Sequence, residues 1–198
     1  GVWTQLSGVN PDQGFAVDDD GDAREEIQVD FGGLGLWRYD KDTGVWVQYS
    51  TFNPLLGGAR GDLWDGLFQE GTWGFAGYGA WSFHTNQAAG IVFAHQLSGA
   101  DPSAPNVSAA WGAGSDPEGL IMNFGSTLGT WICQGAGYPG VTWSQISTFY
   151  LSGAAPARFV GDADCELLAD FANNSGLWMW DYSGAPNAWE LLSPAEPG

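Results

Sequence analysis

Basic side chains are nearly absent: five Lys and Arg stand against 23 Asp and Glu, and the sole lysine is Lys41. The net charge of −18 repels phosphate backbones and anionic lipid, so nucleic acid and membrane surfaces are not expected partners. Long apolar runs are missing too. None approaches the roughly 20 residues a membrane helix needs, which leaves no basis for membrane insertion. Helical periodicity never persists beyond two turns. Cysteine is scarce, and Cys133 and Cys165 have neither metal-ligand spacing nor a neighbouring histidine pair, which excludes a zinc site. In an exported chain the two allow one disulfide, with two buried free thiols as the alternative. The two histidines, His84 and His95, fall in strand-like stretches and read as strand residues rather than bases. No G-x-S-x-G elbow occurs, and no glycine loop leads into a helix and a lysine. No carboxylate pair stands out from the general acidity, so a secreted glycoside hydrolase has no specific signal and no enzyme is expected.

What the chain does hold is glycine, 31 residues in 198, and aromatics at 15%. Many turns between aromatic-rich segments predict an all-β protein. A repeat supports this. The segment "VWTQLSGVNP" (2–11) recurs as "VWVQYSTFNP" (45–54), more loosely as "FAHQLSGADP" (93–102) and "TWSQISTFYL" (142–151), and finally as "AWELLSPAEP" (188–197). Its anchors are Trp3, Trp46, Trp143 and Trp189, with Ala94 in place of Trp in the third copy. Between these copies a Phe (Phe31, Phe75, Phe124, Phe171) precedes a Trp (Trp37, Trp81, Trp131, Trp178) across a glycine-bearing turn. That pattern is a β-hairpin. Units of about 47 residues with three or four strands predict a β-propeller of about four blades. The expected units are 1–43, 44–88, 89–137 and 138–186, in one domain spanning 1–198. Segment 187–198 is expected to act as a closing strand that completes the opposite terminus and shuts the ring. The repeated Phe and Trp are expected to form the core between blades.

The stretch "DDDGDAREEIQV" (18–29) gathers acids on a tight loop ahead of an alternating strand. It resembles the calcium loop of FG-GAP and integrin-type propeller blades, D-x-[DN]-G-D-G-x-x-D. The resemblance implies a calcium ion held by Asp18, Asp20 and Asp22, with Gly21 as the turn glycine and Glu26 in the place of the last carboxylate. Ala23 departs from the second glycine of the pattern, and Glu26 departs from its final Asp. Chemistry points the same way, since a hard cation wants six to eight oxygens and alternate Asp residues converge on one point. The alternative is a solvated acidic turn. "LWRYDKDTGVWVQYS" (36–50) is also similar to kelch and tectonin repeats, which use an aromatic strand followed by W-x-x-L.

Twelve tryptophans exceed what such a core needs, and Trp64, Trp73, Trp111 and Trp180 fall outside the repeat. On loops beside acids and amides they would suit stacking on a glycan; the alternatives are a protein contact and extra core. The sequons Asn106-Val-Ser and Asn173-Asn-Ser offer glycosylation sites. The chain starts at Gly1 with no signal peptide, as a mature product or excised fragment would. Together these features predict an extracellular, non-enzymatic binding or adhesion module for a glycan or surface ligand. The alternative is a self-associating subunit of a surface layer or filament.

Overall fold

The computed structural model describes residues 3–63, 69–86, 90–109, 119–135, 140–157, 166–171, 175–181 and 189–194. Within them the chain is all-β apart from two single helical turns. Strands β1 (Gln13–Val17), β2 (Glu26–Asp30), β3 (Leu36–Asp40) and β4 (Val45–Ser50) form one antiparallel meander. Three more follow: β5 (Pro54–Gly61) to β6 (Glu70–Phe75), β7 (Gly79–Asn86) and β8 (Ile91–Ser98); then β9 (Ser103–Ala109), β10 (Gly119–Asn123), β11 (Thr130–Gly135) and β12 (Val141–Ser147); and last β13 (Leu151–Ala157), β14 (Glu166–Phe171), β15 (Leu177–Trp180) and β16 (Trp189–Ser193).

The Phe…Trp hairpins lie between the second and third strands, as their sequence suggests. Each turn ends in a glycine with positive φ: Gly35 at +82°, Gly79 at +80°, Gly129 at +71° and Gly176 at +85°. A Cβ at any of them would also collide with the carbonyl oxygen of Ser50, Ser98, Ser147 or Ser193 on the fourth strand. Only glycine meets both demands. The hairpin indole then holds the turn, because Trp37, Trp81, Trp131 and Trp178 each donate Nε1 to the carbonyl three residues back, at 2.7–2.9 Å. In the first three sheets Gln48, Gln96 and Gln145 donate to that same carbonyl from the fourth strand. The hairpin tryptophans are thus half-buried turn braces, whereas Phe75, Phe124 and Phe171 are the buried members of the motif.

Every third–fourth strand pair also carries a bulge: Leu36 faces Ser50 and Trp37 faces Gln48, which leaves Tyr49 outside the ladder. Leu97, Ile146 and Leu192 are left out in the same way.

The sheets meet in succession, β1 on β5, β5 on β9 and β9 on β13. Their apolar residues form separate clusters in the seams. Leu36, Trp73, Phe75 and Phe83 join sheets one and two; Leu63, Leu97, Leu120 and Met122 join two and three; Ile121, Ile132, Leu167 and Trp180 join three and four.

The sequence units correspond to these sheets with a shift of one strand. The recurring segments anchored at Trp46, Ala94, Trp143 and Trp189 are the fourth strands β4, β8, β12 and β16, so each sheet ends, rather than begins, with one. The segment expected to close the ring at the opposite terminus instead completes its own sheet, because β16 pairs with β15. The first copy, residues 3–10, lies in no sheet, and Trp3 is 99% exposed.

Candidate functional site

The acidic loop joins β1 to β2, and its shape follows from its short side chains. Asp18 accepts from the amides of Gly21 (2.9 Å) and Ala23 (3.0 Å), Asp20 from Asp22 (3.3 Å), and Asp22 from Arg24 (2.8 Å). These Asx turns fold the loop on itself. Gly21 sits at φ +78° and Ala23 at φ +67°, so alanine occupies a left-handed position that the resembled pattern gives to glycine. The carboxylates of Asp18, Asp20 and Asp22 converge, with one oxygen of each within 4.8 Å of the others. That much of the expected ligand set is brought together.

Glu26 is not part of it. It is buried and groups with Asp19 and Asp20 on the inner side of the loop. There it accepts from the Asp19 amide at 3.2 Å, as Glu70 accepts from the Leu63 amide at 2.8 Å. Glu166 heads β14 equally buried. A glutamate at the head of the second strand is therefore a repeated framework residue, which is why the final position of the loop carries Glu and not Asp.

The inner acids surround a buried cation that the sequence did not single out. Arg38 on β3 meets Asp19 at 2.7 Å through Nε, and Asp20 at 2.5 Å and Glu26 at 3.4 Å through Nη2; Asp40 lies 3.5 Å from Nη1. Burial opposes the Arg38 charge, yet Asp19 above all more than offsets it and raises the guanidinium above its ordinary value. Burial also governs two of the acids. It raises Asp20, and it pushes Glu26 up to about 8, aided by the charges of Asp19 and Asp20 and opposed by Arg38. Asp19 further accepts from Gln28 (2.8 Å) and from the Tyr49 hydroxyl (2.6 Å), whose titration is driven up by its own burial and then by Asp19.

This polar core ties two sheets together. Gln28 accepts from the Trp73 indole at 2.8 Å, Tyr49 bonds to Thr85, and the loop carbonyls of Asp18 and Asp19 accept from Gln69 (2.7 Å) and Thr85 (2.8 Å). The loop is therefore two-sided. Its inner acids share the single cation Arg38, and its outer face offers Asp18 and Asp22, which converge on Asp20 between the two sides.

The remaining expectations divide. Trp73 and Trp180 are each 1% exposed. Trp73 stacks on Phe15 at 5.1 Å and Trp180 packs beside Trp189 at 6.4 Å, so both are core rather than glycan platforms. Trp64, Trp111, Cys165 and Asn173 lie outside the described residues, and Asn106 is described only as part of β9. Cys133 is a buried free thiol, which burial pushes up to about 12. His84 is buried on β7 and stacks with His95 at 5.6 Å, in keeping with strand roles; burial lowers His95.

Comparison of the chain with protein-family models, with curated proteins and with solved structures returns no match.

Proposed function

We propose that this chain is an extracellular, non-enzymatic binding and assembly module, a propeller of four blades that joins to further copies of itself through a surplus strand. Four consecutive four-stranded meanders, touching through their first strands, support the blade reading. The observation that carries the assembly is the segment Trp3–Ser7. It has every residue of a fourth strand: Trp3, Gln5, Leu6 and Ser7 match Trp46, Gln48, Tyr49 and Ser50. Its serine makes the same turn, with Val9 N donating to Ser7 Oγ at 3.0 Å, as Phe52, Ala100 and Phe149 donate to Ser50, Ser98 and Ser147. Its Leu6 carbonyl accepts from Trp46 Nε1 at 3.3 Å, as Leu97 accepts from Trp143 (3.0 Å) and Ile146 from Trp189 (2.8 Å).

The segment thus occupies the place of the fourth strand of a preceding sheet. Five such strands serve four sheets, and in a closed ring residues 3–7 and β16 claim the same position. In a ring of these four sheets alone, one strand is left over. An unpaired strand with an exposed tryptophan is a template for edge pairing. Its occupant is the last sheet of a second copy, where Gln5 brings the turn-bracing amide that β16 lacks, Leu191 standing at that place. A calcium ion on Asp18, Asp20 and Asp22 belongs to this reading, the remaining ligands being water and backbone oxygen, and it would fix the β1–β2 loop, whose carbonyls accept hydrogen bonds from Gln69 and Thr85. Glycan recognition draws no support from Trp73 or Trp180.

Light scattering across a concentration series tests the assembly. The chain is expected to form oligomers that grow with concentration, and deletion of residues 3–8 is expected to abolish them. A monomer at every concentration, or oligomers indifferent to the deletion, would overturn the proposal.

A further inference from the structure

Three of the four sheets fill the seam beside them with an indole from the fourth strand. Trp46, Trp143 and Trp189 pack on Phe31, Phe124 and Phe171 of their own sheets, with ring centroids 5.4, 5.5 and 4.9 Å apart. Each also donates Nε1 to the carbonyl of the residue that the bulge leaves outside the ladder, or its N-terminal equivalent: Leu6, Leu97 and Ile146. The indole is thereby read twice, by an aromatic face and by a hydrogen-bond acceptor.

In sheet two the position belongs to Ala94. The other two recognition elements remain. Phe75, 3% exposed, stands where Phe31, Phe124 and Phe171 stand, and Tyr49 is the bulged residue of the adjoining strand. The space between is an open cleft of about 180 Å³ lined by Ala94, Tyr49, Trp81 and the buried Phe75 and Phe83. At its mouth Phe52 and Tyr78 are 51% and 49% exposed, their rings 4.6 Å apart. The equivalent cleft between sheets three and four, about 280 Å³, has Trp189 as a wall, and Ser175 takes the place of Tyr78 at its mouth. Sheet two alone combines a missing indole with an aromatic gate. An apolar cavity of roughly 150 Å³ is enough to hold a benzene-sized ring.

We infer that the Ala94 cleft binds a small planar aromatic ligand carrying a ring N–H, an indole-class molecule, packed against the exposed rings of Phe52 and Tyr78 and donating to the Tyr49 carbonyl. The site is independent of how copies assemble. Binding of 5-fluoroindole, followed by fluorine NMR, is expected to be saturable in the native chain and abolished in Ala94→Trp, which supplies the indole from the protein itself. Ala94→Leu, which fills less of the cleft and preserves the strand, is expected to weaken binding at least tenfold. Indene, the same shape without the N–H, is expected to bind about fivefold more weakly, the worth of one net hydrogen bond. Trp3→Ala is expected to leave binding unchanged, whereas a gain in binding on that change would identify the Trp3 of a second copy as the ring the cleft takes and overturn the small-ligand proposal. Non-saturable signals, or equal affinity in the native chain, Ala94→Trp and Ala94→Leu, would also overturn it.

Discussion

Replacing Arg38 by Met would leave Asp19, Asp20 and Glu26 in the interior without their cation. The Arg38 side chain is 4% exposed, and those of Asp19, Asp20 and Glu26 are 0%, 1% and 4% exposed, so little water reaches the acids it abandons. Removing one partner of a buried ion pair costs about 3–5 kcal/mol, because the surviving charge is uncompensated. Against a total stability of about 5–15 kcal/mol that is a large fraction. At about 2–4 °C per kcal/mol for a chain of this size, Tm should fall by about 6–20 °C.

The loss should also depend on pH, with a determined sign. Glu26 releases its proton near 4.5 when unfolded and near 8 when folded. Between those values the folded chain holds the extra proton, so this group's stabilising contribution is full below about 4.5 and declines as pH rises through 8. Without Arg38 the acids bind protons still more tightly, and the penalty of Arg38→Met shrinks toward pH 5 and is greatest near pH 8. Calorimetry at pH 5, 6.5 and 8 measures this. Glu26→Gln should flatten the native pH slope. An Arg38→Met loss below about 1 kcal/mol, or one that is constant across pH, would refute the account of the polar core.

Gly79→Ala combines φ +80° with a collision against the Ser98 carbonyl, and should cost at least about 2 kcal/mol in urea denaturation, whereas Gly44→Ala, at φ +70° with open space around its Cβ, should cost about 1 kcal/mol. Calcium should raise Tm in the native chain, and Asp18→Ala with Asp22→Ala should remove the difference between calcium and chelator while sparing the Arg38 network. Cys133, wholly buried, should resist thiol reagents in the folded chain and react within minutes in denaturant; fast labelling of the native protein would contradict its burial.

The hairpins were legible because their rules are local: a glycine that must take positive φ, and an indole that reaches a carbonyl three residues back. The sheet boundaries were not. A repeat reports its period but not its phase, and W-x-x-L reads equally well as the opening or the closing strand until Leu36–Asp40 is seen to pair with Val45–Ser50. Trp73 and Trp180 looked surplus because they fall outside the repeat, which marks only the recurring Phe and Trp as core; the seams also use large side chains from non-repeating positions of the second and third strands. Arg38 was missed for a different reason. Its approach to Asp19 crosses the β2–β3 hairpin and a loop, a separation with no periodic signature, although a chain with four arginines offered few cations for so many acids. Glu26 misled because its place in the acidic loop coincides with its place in the repeat of Glu70 and Glu166, and burial decided between them.

The division of the apolar core into seams has a mechanical consequence. Among the described residues each cluster is shared by two consecutive sheets, so a sheet is held by its neighbours rather than by one common centre. Under load or heat such a chain can open sheet by sheet, each sheet giving up only the seams it shares with its neighbours.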